Sequence, residues 1–211
     1  MKRGTKTIIW GAAAIALTAA VGLIDVQGTS VGKDVGLGTL NNVIFAFFGE
    51  NEVWGKITDI LLGVLIAAAV IAIFWAAARW AKEGKDSKKM GKSLACFGVA
   101  GGVAAAIYLI FEKLLVINYS PVLEGGKAVP SFPSTHVLVA VVLAMISAII
   151  LTSLLKKRVL RIAVNTILPT LMVWMMVGVI LAGTGWFTDV IGGLLYGMTA
   201  VSLYQTLMAR R

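Results

Sequence analysis

The chain has 211 residues, 59% hydrophobic and 14% charged, with a formal net charge of +9 and a mean hydropathy of +0.91. A soluble domain of this length needs more charge to cover its surface, so that class is excluded. Apolar runs of about 20 residues recur, each long enough to cross a hydrocarbon core of roughly 30 Å, and the strand-length alternation of a membrane barrel is absent.

The first run follows Lys2 and Arg3 and covers about 7–24. It imitates a secretory signal, but it is long and lacks a small-x-small cleavage pattern, so it reads as a retained span. The next segment, 25–56, is mixed. Gly28, Gly32, Gly36 and Gly38 predict irregular backbone. Asn41 to Phe48 is apolar and aromatic and predicts a short amphipathic helix along the interface. A second span is expected at about 57–78, and a lysine-rich polar loop at 79–92. The third, about 93–117, carries Gly98, Gly101 and Gly102, the lone Cys96, and Glu112 and Lys113 at its outer end. One cysteine excludes a disulfide within the chain, and Cys96 reads as a small buried hydrophobe. Ionisable groups at membrane depth face the protein interior or a wet cavity, although a lysine near a helix end also snorkels to the interface. Further spans are expected at about 135–155, 162–183 and 189–208. The last holds Gly192, Gly193 and Gly197, the latter two at a spacing that lets helix backbones approach. Packing is the expected role of all these span glycines. Trp54, Trp80 and Trp186 fall near span ends, where amphipathic rings settle at headgroup level.

Of the 19 Lys and Arg residues, 15 fall on one side of these spans, and only Lys33, Lys56, Lys113 and Lys127 on the other. Such an excess marks the cytoplasmic side. The expected architecture is an all-α, polytopic membrane protein: one domain over 1–211, with six transmembrane helices in a bundle and both termini cytoplasmic. The basic charge is therefore topological. No aromatic residues interleave with it as a nucleic-acid groove requires. Compact size and bare termini suggest a prokaryotic plasma (cytoplasmic) membrane.

The sole histidine, His136, closes the run Pro130-Ser131-Phe132-Pro133-Ser134-Thr135-His136, where the fourth span should start. Ser134 is a good N-cap residue, so the run is sufficient as a helix start. The same geometry makes an anion site, because free N–H groups and the macrodipole favour negative charge there. A histidine in that first turn can hold or protonate a phosphate oxygen. Lys113 and Lys127 lie on the same side of the membrane in this topology. Asp189 opens the sixth span, where a carboxylate caps a helix or orients a histidine.

In order and spacing these residues resemble the type 2 phosphatidic acid phosphatase family, relatives of the vanadium haloperoxidases. Lys113, six residues and Ser120-Pro121 stand where that family has Lys, six residues and Arg-Pro. Pro133-Ser134-Thr135-His136 stands for Pro-Ser-Gly-His. The third family motif is Ser-Arg, five residues, His, three residues, Asp; with Asp189 fixing the register, Gly178-Val179 and Gly185 occupy the Ser-Arg and His positions. Gly183, Trp186 and, more loosely, Gly36-Leu37 and Leu40-Asn41 add to the likeness, which covers about 20–208. The resemblance implies six helices with an outward-facing site. It makes Lys113 a phosphate binder, Ser134 an oxyanion donor, His136 the leaving-group acid and Asp189 the orienter of the nucleophilic histidine. Thr135 and Lys127 complete the expected phosphate-binding set.

The departures are chemical. Gly185 has no side chain to act as nucleophile, and Ser120 and Val179 cannot clamp phosphoryl oxygens as arginines do. Asp189 is then left with nothing to orient. One arginine at a phosphoryl transition state is worth about 10³–10⁵ in rate. The leading expectation is a pseudoenzyme that binds a lipid phosphate or a polyprenyl (di)phosphate, without cofactor or metal. Phosphatidic acid and phosphatidylglycerophosphate are the other candidate ligands. One alternative is a lipid-phosphate phosphatase with a variant mechanism through His136 and Asp189. The other is a structural or transport protein.

Overall fold

A computed structural model describes residues 3–84, 88–123 and 125–210. Lys2, Lys85 and Arg211, counted above on the basic side, lie outside the described residues. The chain forms α1 (Arg3–Leu23), a small hairpin of β1 (Gln27–Gly28) and β2 (Asp34–Val35), then α2 (Gly38–Phe48), α3 (Glu52–Glu83) and α4 (Lys88–Leu109). A π-helical turn over Ile110–Leu114 extends α4, and α5 (Thr135–Leu154), α6 (Arg158–Ala182) and α7 (Phe187–Ala209) complete the order. Among the described residues six helices are long and apolar enough to cross a membrane. The all-α class and the six expected spans are borne out.

Helix α3 outruns its expected limits because polar devices prolong it at both ends. The Asn51 side chain caps it by accepting from the backbone N–H groups of Val53 at 3.0 Å and Trp54 at 3.4 Å. An Arg79–Glu83 pair at 2.8 Å supports its last turn before Gly84, at φ 54°, ends it.

Helix α5 lies at the centre, packed against α3, α4, α6 and α7. It is apolar around most of its circumference, the pattern of a helix enclosed by others. Small residues bring α7 against it: a Cβ on Gly193 would meet the Ser134 carbonyl oxygen at 2.6 Å, and one on Gly197 would meet Val141 Cβ at 2.7 Å. The packing expectation fails for Gly98, Gly101 and Gly102, where an added Cβ meets nothing within 4 Å. Gly98 and Gly102 are exposed and Gly101 borders an open cleft beside α5, a distinction that spacing alone does not carry.

Polar bonds across helices tie one end of the bundle together. The hydroxyls of Thr7 and Thr206 lie 3.2 Å apart and those of Ser93 and Tyr204 2.6 Å apart, so the start of α1 sits beside the end of α7. Thr18 and Tyr196 meet at 2.9 Å further along the same pair of helices.

At the opposite end, the glycine-rich stretch is more regular than its composition suggests. Thr29 N–H donates to the Lys33 carbonyl at 2.8 Å and Gly32 takes φ 72°, which closes the β1–β2 hairpin. The expected helix over Asn41–Phe48 is present as α2. Its own N-cap, Leu37, offers no side-chain acceptor. Asp25 supplies one from a distance, accepting from Thr39 N–H at 2.7 Å and from Gln27 Nε2 at 2.6 Å. The Thr39 backbone bond, then Gln27, hold the Asp25 carboxyl below its usual range. A depressed folded-state pKa means this contribution is present at neutral pH and is lost as pH falls through the carboxylate range.

Gly197→Ala should destabilise the protein by about 1–3 kcal/mol through overpacking against α5. Gly98→Ala should be neutral or slightly stabilising, because alanine is the better helix former. Thermal midpoints of the two variants in detergent check this contrast.

Candidate functional site

The start of α5 is docked onto the start of α7 by the main chain: Ser134 N–H donates to the Asp189 carbonyl at 2.9 Å. Ser134 is the N-cap of α5, yet its hydroxyl makes no capping bond and the residue is only 6% exposed. Asp189 is fully buried. Its Oδ2 accepts from Trp186 N–H at 3.1 Å, closing a capping box at the start of α7, and its Oδ1 accepts from Asn118 Nδ2 at 2.8 Å.

That pair belongs to a larger buried network. Asn118 Oδ1 accepts from Gly36 N–H at 3.0 Å, and Asn41 Nδ2 donates to the Gly36 carbonyl and to Thr188 Oγ1, each at 2.8 Å. Thr188 N–H donates back to Asn41 Oδ1 at 3.2 Å. Asn41 and Asn118 are as buried as Asp189. Buried polar groups must be paired to be tolerated, and here each partner comes from a different segment. The expectation that Asp189 orients nothing is corrected: in place of a histidine it holds Asn118 and the Trp186 amide. Trp186 departs from its expected interfacial position as well. It is buried, packs on Phe45 at 5.5 Å between ring centroids, and donates from Nε1 to the Tyr119 carbonyl at 2.7 Å.

Beside this network lies a cavity of about 570 Å³, within the size range of small-molecule sites. Thr58 and Asp59 of α3, Tyr108 and Glu112 at the end of α4, Ser134, Thr135 and His136 at the start of α5, and Val179, Thr184 and Gly185 around the end of α6 all line it. The π-helical turn sets the direction of Glu112; such turns recur at functional sites.

The candidate residues divide. Ser134, Thr135 and His136 share the cavity, as do Val179 and Gly185, the two positions where the resemblance puts an arginine and the nucleophile. Lys113, Lys127, Asp189 and Ser120 are not among its lining residues. The Lys113 side chain is 67% exposed, and its ammonium lies 3.3 Å from the Glu112 carboxylate. Lys127 is exposed on the loop before α5. Ser120 is fully buried, with its hydroxyl donating to the Val122 carbonyl at 2.5 Å.

Asp59 is the residue that sequence reasoning missed. Its Oδ1 lies 3.6 Å from His136 Nε2. The available signal was a lone carboxylate in the outer turn of an apolar span, where ionisable residues have a reason to be. Among the described residues no three of His, Cys, Asp and Glu converge to hold a metal ion.

A membrane bundle whose central helix presents a Ser-Thr-His start to a polar cavity at one end has a lipid-phosphatase-like fold. The PAP2 superfamily model matches residues 112–211, the part that contains all three motif positions, and supports assignment of the chain to that superfamily. Across 95% of this chain and 94% of the other, the fold also matches a solved structure. That structure is described as the first transmembrane PAP2 type phosphatidylglycerolphosphate phosphatase from Bacillus subtilis, with a TM-score of 0.63 and 18% identity. No curated protein sequence matches the chain.

Asn118→Ala leaves one oxygen of a buried carboxylate and one backbone N–H without their partner. It should cost about 3 kcal/mol and lower the thermal midpoint clearly. Lys113→Ala, at an exposed side chain, should stay within about 0.5 kcal/mol.

Proposed function

We propose that this protein binds a lipid phosphate, phosphatidic acid or a polyprenyl phosphate among the candidates, and no longer runs the phosphohistidine reaction of its superfamily. The observation that carries this reading is the cavity wall formed by Val179 and Gly185. A Cβ placed on Gly185 would lie 3.2 Å from Val179 Cγ1, so the two positions are neighbours. Where the family resemblance calls for a nucleophilic imidazole and an arginine clamp, this chain offers a hydrogen atom and an isopropyl group.

The start of α5 supports binding. Its free backbone N–H groups, the unbonded Ser134 hydroxyl, Thr135 and His136 all suit a phosphate. His136 serves there as a donor to phosphate oxygen when its facing nitrogen carries a proton. Affinity near the micromolar level, about −8 kcal/mol, is a reasonable scale with an apolar tail contributing. The charge distribution supports an outward-facing cavity, with both termini on the cytoplasmic side of a plasma membrane.

One observation favours a second reading, hydrolysis by a variant route. Asp59 stands beside His136 in the manner of a carboxylate that orients a general base for water. Asp189 is a poor candidate for that work, being buried away from the cavity and committed to Asn118.

Release of inorganic phosphate from phosphatidic acid, measured with purified protein in detergent, separates the two. The expected result is background release by the native protein, with lipid binding weakened about tenfold by His136→Ala. Release that His136→Ala or Asp59→Asn abolishes would establish the hydrolytic reading instead. Val179→Arg should tighten binding of phosphatidic acid by about tenfold, as a charge-assisted bond to phosphate does.

A further inference from the structure

We propose that the head of the bound lipid is zwitterionic: a phosphate carrying an amine on a short linker, with the phosphate at Ser134–His136 and the ammonium between Asp59, Glu112 and the ring of Tyr108. This rests on the lipid-phosphate reading above and narrows it.

The charge of the cavity is the starting point. Its ionisable lining residues, among those described, are Asp59, Glu112 and His136, with no lysine or arginine. A bare phosphate monoester there would meet two carboxylates and a single histidine. Asp59 is 75% exposed and Glu112 24%, so solvent screens them and a phosphate monoester can still be held at Ser134–His136, but the two carboxylates work against its charge. An ammonium group on the same ligand removes the conflict, because it supplies the positive charge that the carboxylates lack.

The residue types divide into two subsites. On one side, Ser134 is more than nine-tenths buried, lines the cavity and leaves its hydroxyl without a partner. A mostly buried serine whose hydroxyl is left open at a helix start suits a phosphate oxygen. On the other side, Asp59 and Glu112 bring carboxylates from α3 and from the end of α4. Tyr108, one turn before Glu112, adds an aromatic ring to the same wall. Carboxylates with an aromatic face make a cation-binding set. The 3.6 Å approach of His136 to Asp59 joins the two subsites, a proximity suited to a phosphate and an amine separated by two carbons. Glu112 is 24% exposed, and its present partner Lys113 is a mostly exposed side chain that can exchange to water.

An apolar cavity of about 300 Å³ adjoins the first and shares Tyr108 and Thr135 with it. Gly101 and Ala104 of α4 and Val139 and Leu143 of α5 line it. At Gly101 no atom fills the place of a Cβ within 4 Å, which keeps this cleft open. It provides a lodging for the start of an acyl chain beside the headgroup.

Binding of three dioleoyl lipids to the full-length protein in detergent tests this. The lipids are phosphatidylethanolamine, phosphatidylethanol, which has the same phosphodiester without the amine, and dioleoylglycerol, which has no phosphate. Phosphatidylethanolamine should bind about tenfold more tightly than phosphatidylethanol. Asp59→Asn and Glu112→Gln, which keep side-chain shape, should each reduce that preference. His136→Ala should weaken both phospholipids together. Equal binding of the two phospholipids, both tighter than dioleoylglycerol, would overturn the amine subsite and leave the lipid-phosphate reading standing. A preference that survives both carboxylate substitutions would also overturn the subsite. If neither phospholipid binds more tightly than dioleoylglycerol, both readings fall.

Discussion

The hydrogen bond from Asn118 to Asp189 is the constraint on which the site end of the bundle depends. A fully buried carboxylate has a large desolvation cost and survives only when its oxygens are bonded. Here one oxygen holds the loop after α4 through Asn118, and the other closes the start of α7 through the Trp186 amide. Asn118 in turn holds Gly36, and Gly36 is tied through Asn41 to Thr188. Three segments distant in sequence are thereby joined by groups that have few alternatives in a water-poor interior. The start of α5 joins them through the bond from Ser134 N–H to the Asp189 carbonyl. Placement of Ser134, Thr135 and His136 follows from this arrangement.

On the proposed reading, the same bonds explain how the fold persists without the phosphohistidine reaction. Asp189 has a structural task that does not involve the cavity, so a glycine at position 185 leaves the aspartate satisfied. The cavity wall keeps its position while Val179 and Gly185 change its surface. What remains is an anion-friendly helix start facing two carboxylates, an electrostatic pattern unlike an arginine-clamped phosphoryl site. Phosphoryl transfer relies on positive charge around the transferred group, and this cavity has little to give beyond His136.

Much of the fold was legible because hydropathy and charge act over whole segments. All six spans were evident from apolar length, and the lysine and arginine distribution pairs the ends of helices that do meet, as Thr7 with Thr206 and Ser93 with Tyr204 confirm. The Ser134–His136 corner was legible because proline, serine and histidine at a span start are locally informative. The rest of the site depended on tertiary contacts that spacing does not encode. Asp59 lies 77 positions before His136 and carries no motif. Lys113 follows Glu112 directly, yet Glu112 enters the cavity and Lys113 goes to solvent, because neighbours on a helical turn point in different directions. Gly98 and Gly197 look alike in sequence, but only Gly197 meets another helix. Trp186 carries the usual mark of an interfacial ring, and its burial follows from the Tyr119 and Phe45 contacts alone.

The central claim is that the cavity retains lipid phosphate without taking its phosphoryl group. Native mass spectrometry of the full-length protein with phosphatidic acid tests both halves in one spectrum. The account predicts a one-lipid complex that disappears on denaturation, leaving protein of unmodified mass. A phosphoryl group retained on the denatured chain, or the absence of any lipid complex, would contradict it.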